Sequence, residues 1–246
     1  MSIAEKLITI AQNEQRVFNR GHYEGYSEGY NAGGKDAYSI GFGAGKTSEY
    51  DRFWNGYQQN GSRTNYAFAF RGRGWTDETY NPKYPIVAKS TLEMGFRESK
   101  ITRLTNIDTS GVTNFNTAFY NMAECTYIEK VDMSSATNTT SAFAHNPSLV
   151  TIGEIVSSET TVWHNQAFYS CAALENLIFT EDSIIATDFT CSNSSLSKAS
   201  IMSIINALKN YSPEENVRTC TIGSSNLKKL TEDEKKIATR KGWELK

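Results

Sequence analysis

A short apolar pattern returns along residues 92–196 at a nearly constant interval, and that interval limits the possible folds more than any other feature of the chain. It reads Ile101-x-x-Leu104-x-x-Ile107, Cys125-x-x-Ile128-x-x-Val131, Leu149-x-x-Ile152-x-x-Ile155 and Leu174-x-x-Leu177-x-Phe179, stepping by 24, 24 and 25 residues. A phenylalanine precedes each triplet at Phe96, Phe119, Phe143 and Phe168, and Phe189 stands where a fifth unit begins. Three of them follow an alanine: Ala118, Ala142 and Ala167. Two markers on one period point to a repeat array rather than one continuous core. A unit of this length makes two short extended segments and a turn, with one apolar row on each segment. Alone it leaves both rows wet; stacked units close them. The expected core is therefore Phe96, Ile101, Leu104, Phe119, Ile128, Phe143, Leu149, Ile152, Phe168, Leu174, Leu177 and Phe189. The polar runs at 132–141 and 157–161 read as outward turns.

A second, shorter period precedes the first. Residues 2–20 read as an amphipathic helix whose narrow seam is Ile3, Leu7, Ile10 and Val17, interrupted by Glu14. Such a seam suits pairing with other helices or packing on the same chain. From Gly21 to Gly45 a small residue recurs every fourth position, as at Gly25, Gly29, Gly33 and Gly41, usually followed by an aromatic: Tyr26, Tyr30, Tyr38 and Phe42. Residues four apart share a helix face. At about 1 kcal/mol per interior glycine, roughly six of them cost on the order of 5 kcal/mol, so an isolated helix does not survive. Residues 1–60 are accordingly expected to be a helical oligomerisation or docking segment with those residues as its contact surface. The alternative is a flexible glycine-rich linker. Within it, Gly41-Phe-Gly-Ala-Gly45-Lys46-Thr47 imitates a phosphate-binding loop, but Ile40 occupies the place of the first required glycine and no apolar strand precedes it.

Residues 61–91 read as an irregular N-terminal cap, with Tyr66, Phe68 and Phe70 alternating with small residues and with Trp75 and Tyr80 available to seal the first unit. Residues 197–246 read as a C-terminal cap of helix, strand and helix. Apolar residues at Ile201, Ile204, Ile205 and Leu208 have helical spacing, Thr219 to Ile222 is a strand candidate, and Thr231-x-x-Glu234 is a capping box for a helix that Gly242 ends.

No catalytic constellation is visible. His22, His145 and His164 are scattered, no metal-ligand spacing or Gly-x-Ser-x-Gly is present, and the carboxylates fall in turns and on helix faces. Neither a catalytic residue nor a metal or cofactor is expected. The formal charge of −2 gives no electrostatic basis for nucleic-acid binding. Glu5 interrupts the apolar part of the N-terminus, so neither a signal peptide nor a membrane-inserted segment is expected. Cys125, Cys171, Cys191 and Cys220 lack C-x-x-C spacing and read as small buried residues. What remains is surface. Tyr120 and Tyr169 directly follow Phe anchors, and Trp163 and His164 lie on an outward stretch, so these four form the candidate ligand face; the alternative is that they cover core edges.

The repeat length and the L-x-x-L-x-F form of the fourth unit belong to the leucine-rich repeat class. The ladder resembles BspA-type leucine-rich repeat proteins, and the whole chain is similar to a group of them encoded by phages and prophages of Gram-positive (Firmicutes) gut bacteria. The resemblance rests on the Gly/Tyr-rich N-terminal segment leading into Tyr50-Asp-Arg-Phe-Trp54-x-x-Tyr57-Gln-Gln-Asn-Gly61. It rests also on the terminal segment Ile222-Gly-x-x-Asn226-Leu227-x-x-Leu230-Thr231-x-x-Glu234 with Ile237, Ala238, Lys241, Gly242 and Trp243. It implies an α+β repeat protein, a short BspA-type solenoid over 92–196. In role it implies a non-enzymatic virion structural protein, made in the bacterial cytoplasm without a signal peptide. This would be a tail- or fibre-associated adhesin, homo-oligomeric and attached to other virion proteins, recognising a host-surface protein or glycan through the repeat face. The alternatives are a virion scaffold or capsid decoration protein without a receptor, and an intracellular prophage product that binds a host factor.

Overall fold

The computed structural model divides the chain into Met1–Arg52 and Phe53–Lys246. It describes residues 66, 69–72, 75–77, 80, 86–211 and 217–246, all in the second unit. The expected oligomerisation segment over 1–60 lies outside the described residues. Those residues build a mixed α/β structure with parallel sheets and few helices.

The strands are β1 (Ile86–Val87), β2 (Arg103–Leu104), β3 (Ile107–Asp108), β4 (Tyr127–Asp132), β5 (Thr151–Val156), β6 (Asn176–Phe179), β7 (Phe189–Thr190), β8 (Arg218–Thr221) and β9 (Trp243–Leu245). The largest sheet has the order β2-β4-β5-β6, all parallel. Its register sets Leu104 beside Ile128, Ile128 beside Ile152 and Ile152 beside Leu177, the same steps that separate the apolar triplets. These residues are fully buried, while Glu129, Lys130 and Glu154 on the same strands are exposed. A second ladder of single parallel bridges links Thr91, Asn114 and Asn138. Each has a side-chain oxygen that accepts the N–H two residues on, at 3.1, 3.0 and 3.1 Å. That local turn directs the chain back toward the core.

Between the two ladders runs a column of phenylalanine rings. Phe70 lies on Phe96 at 4.7 Å, Phe96 on Phe119 at 5.7 Å, Phe119 on Phe143 at 5.0 Å and Phe143 on Phe168 at 5.1 Å, with interplanar angles from 21° down to 3°. The backbone N–H of Phe96, Phe119 and Phe143 donates to the carbonyl of Ala118, Ala142 and Ala167 at 2.7 to 2.8 Å. The alanines are buried, which explains why a small residue precedes the ring. Phe70 belongs to this column, and Thr76 bridges Lys100 in parallel, so the stacking begins upstream of residue 92. Trp75 and Tyr80 meet the Phe70 ring edge-on at 5.1 and 5.3 Å.

At the far edge of the sheet, helix α1 (Lys198–Ala207) replaces the next strand. Ser197 caps it, and Ile201, Ile204 and Ile205 are its buried face. Ser200 Oγ accepts the Leu177 N–H at 3.0 Å and donates to the Glu175 carbonyl at 2.9 Å. One turn on, Ser203 Oγ accepts the Phe179 N–H at 3.3 Å and lies 3.2 Å from the Leu177 carbonyl. Two serines on one helix face thus make the hydrogen bonds that a neighbouring strand would make. Beyond it, β7, β8 and β9 form a parallel sheet, with the short α2 (Ser224–Leu227) and α3 (Glu232–Arg240) between β8 and β9. Thr231 and Glu234 cap α3 reciprocally, and Gly242, at φ 80°, follows it in the left-handed conformation.

Candidate functional site

The turn after each core phenylalanine is held by a repeated backbone bond. Glu98 N donates to Tyr120 O at 2.9 Å, Asn121 N to Ala144 O at 3.0 Å and His145 N to Tyr169 O at 2.8 Å. The second residue after each ring, Glu98, Asn121, His145 and Ser170, is in the left-handed region, with φ between 53° and 62°. The chain therefore reverses sharply just beyond the core and turns the neighbouring side chains outward. Four of them form a continuous column. The Arg97 guanidinium lies 4.9 Å above the Tyr120 ring, Tyr120 is 5.1 Å from the His145 ring, and His145 is 5.4 Å from Tyr169. Tyr169 is 52% exposed, the most open aromatic side chain among the described residues.

Of the four candidate ligand-face residues, the structure brings Tyr120 and Tyr169 together and adds Arg97 and His145 between and beside them. Trp163 requires correction. It is 5% exposed and packs among Phe168, Phe179 and Phe189 at 5.7, 5.8 and 5.2 Å, so it is core. It stands five residues before its phenylalanine, the position of Thr91, Asn114 and Asn138 in the earlier turns. Tryptophan has no side-chain oxygen to close that turn, and its ring fills the space beside Phe179, where β5 and β6 slip in register. Phe189 is tilted 58° to Phe168 beside that wedge. His164 is half-buried and turned toward Thr139. Its Nδ1 accepts the Thr139 N–H at 3.3 Å and its own N–H donates to Thr139 Oγ1 at 3.0 Å, so it does not join the column.

A concavity lies on the outer face of the sheet. It is a hollow of about 570 Å³ lined by Asn106, Ile107, Asp108, Tyr127, Glu129, Lys130, Gly153 and Glu154. Gly153 lines it and packs closely on the neighbouring strand, where a Cβ would stand 2.6 Å from the Glu129 carbonyl oxygen. Lys130 and Glu154 pair across it at 3.2 Å. Its floor lacks the convergent buried donors of a ligand pocket.

The cysteines are buried free thiols. Burial pushes Cys125 and Cys171 up to about 11, Cys191 to about 12 and Cys220 well above its ordinary value. The thiolate is the nucleophile, so these side chains stay protonated and inert at neutral pH. Cys171 serves structure instead, donating to the Phe143 carbonyl at 3.0 Å. Among the described residues, no group of three or more His, Cys, Asp or Glu is placed to hold a metal, and no helix is long and apolar enough to cross a membrane.

No family model, curated protein or solved structure matches the chain.

Proposed function

We propose that this chain is a non-enzymatic binding protein of a phage virion, an adhesin whose short leucine-rich repeat solenoid recognises a host-surface protein or glycan. The observation that carries the binding half of this reading is the outward column of Arg97, Tyr120, His145 and Tyr169 on consecutive turns. Side chains of this kind are over-represented where binding energy concentrates. Here they stand on a backbone fixed by hydrogen bonds from turn to turn, so little ordering is needed on binding. The virion half is supported by the resemblance of the N-terminal and terminal motifs to phage-encoded BspA-type proteins. In this reading residues 1–60 hold several copies together and attach them to other virion proteins, and weak contacts from each copy multiply through avidity.

The test is adhesion of the labelled full chain to intact Gram-positive gut bacteria. Saturable binding to some strains, lost in a Tyr120→Ala/Tyr169→Ala double variant that melts like the parent, is the expected result. Binding that survives the double variant refutes the column, and no binding to any strain refutes the adhesin and favours a scaffold or decoration role. Light scattering of the full chain checks the oligomer: a trimer or larger assembly is expected, and a monomer removes avidity.

A further inference from the structure

We infer that the column of Arg97, Tyr120, His145 and Tyr169 takes an electrically neutral glycan rather than a protein, an inference that rests on the column being the binding face. The first ground is what surrounds the rings. A protein hot spot sets an aromatic or arginine anchor in a dry, apolar, well-packed centre. The column has no such centre. Tyr120 is followed by exposed Asn121 and Tyr169 by half-buried Ser170, both uncharged and polar. The other large apolar side chains exposed among the described residues are Val87, Val150, Val162 and Val217, none of them in the column. The exposed Tyr169 ring, beside hydroxyl and amide groups, matches a ligand that is itself two-faced, with carbon-bound hydrogens on one side and hydroxyls at its edge.

The second ground is charge. Arg97 is paired with Glu98 at 3.3 Å, and Lys100, just beyond, with Glu124 at 3.3 Å. Arg97 and Lys100 thus each have a carboxylate of their own, so a charged ligand beside the column would have to displace an existing partner. The third ground is continuity. Tyr120, His145 and Tyr169 follow one another at 5.1 and 5.4 Å, so a chain of sugars laid along the column meets one ring after another. Tyr169, the most exposed, is the principal stacking platform.

The experiment uses a strain that binds the full chain. Periodate, which cleaves vicinal diols, is compared with protease as a pretreatment of the cells. Wall polysaccharide from the same strain, split by anion exchange into neutral and anionic fractions, is then used as competitor. The expected result is that periodate abolishes adhesion and protease does not. The neutral fraction should compete, with at least a tenfold weaker effect on Tyr169→Ala measured by calorimetry. Adhesion that resists periodate and is destroyed by protease makes the partner a protein and overturns the inference while leaving the binding face intact. Competition by the anionic fraction alone overturns the neutral assignment. A parent and a Tyr169→Ala chain that bind the neutral fraction equally overturn both this inference and the proposed face.

Discussion

Ser200→Ala tests the idea that a helix closes the sheet by imitating a strand. In the parent, Ser200 is buried in α1 and its hydroxyl is the acceptor for the Leu177 N–H at 3.0 Å. The Glu175 carbonyl that Ser200 also serves keeps a second donor, the Ser197 N–H at 2.8 Å. The substitution therefore orphans one group, the amide of Leu177 inside β6. A buried N–H left without an acceptor costs about 1–3 kcal/mol. Alanine returns a few tenths of a kcal/mol through its higher helix propensity, so the net loss is about 1–2 kcal/mol. Chemical denaturation should show the midpoint falling at unchanged slope, and hydrogen exchange should show the Leu177 amide losing protection more than its neighbours in β5. Ser203→Ala, whose bond to Phe179 is longer at 3.3 Å, should cost less. Stability unchanged within about 0.5 kcal/mol, with Leu177 as protected as before, refutes the strand-mimic account, since surface-like substitutions fall in that range.

Four further outcomes follow from the geometry. Thr117 is β-branched, has φ 50° and buries its Oγ1 without a partner. Relief of about 1–2 kcal/mol of left-handed strain outweighs the chain entropy of glycine, so Thr117→Gly should gain up to about 1 kcal/mol in denaturation. The Glu234 carboxyl is held below its ordinary 4.5, first by the Thr231 backbone N–H and then by Lys198. Its contribution is thus present above that value and lost as pH falls through the lower folded value. The stability gap between the parent and Glu234→Gln should close on acidification below 4.5. Trp163→Ala should cost about 3–5 kcal/mol as a core deletion, whereas Tyr169→Ala should change stability by less than about 0.5 kcal/mol, separating core from face in one pair of melts. A thiol reagent at mildly alkaline pH should label none of the 4 cysteines in the native chain and all of them once unfolded, because burial raises every one; rapid native labelling contradicts that.

What could be read from the sequence was what depends on one residue at a time. The Phe anchors and the alanines before them are visible because each ring needs its own slot and each slot a small neighbour. The capping box of Thr231 and Glu234 is visible because it is local. The column was half visible. Tyr120 and Tyr169 stand one residue after their phenylalanines, but in the turn between them that place belongs to buried Ala144, and His145 reaches the column from the next residue at φ 61°. Nothing in the residue types announces that a histidine one step later, in a left-handed conformation, rejoins the same line. Trp163 misled in the opposite sense. A polar neighbourhood suggested an outward ring, while its position five before Phe168, shared with Thr91, Asn114 and Asn138, was the signal that this side chain faces the turn and the core. Ser200 and Ser203 carry no signal in the sequence, because their purpose needs the open edge of β6 beside them.

On the proposed reading, the same geometry keeps binding and stability apart in this chain. The phenylalanine column, the alanine carbonyls and the two parallel ladders carry the fold, and all of them lie on the inner side of the turn. Arg97, Tyr120, His145 and Tyr169 lie one or two residues beyond, on turns anchored by backbone rather than side-chain bonds. A substitution there changes ring area and hydrogen-bonding capacity without opening a cavity. By contrast, the hollow beside Gly153 cannot be varied freely, because any Cβ at that position meets the Glu129 carbonyl. A surface that must adapt to changing partners is better built on the column, where side chains point outward, than in the hollow, where packing dictates the residue at Gly153. That difference, and not exposure alone, is why the proposed recognition surface is the aromatic column.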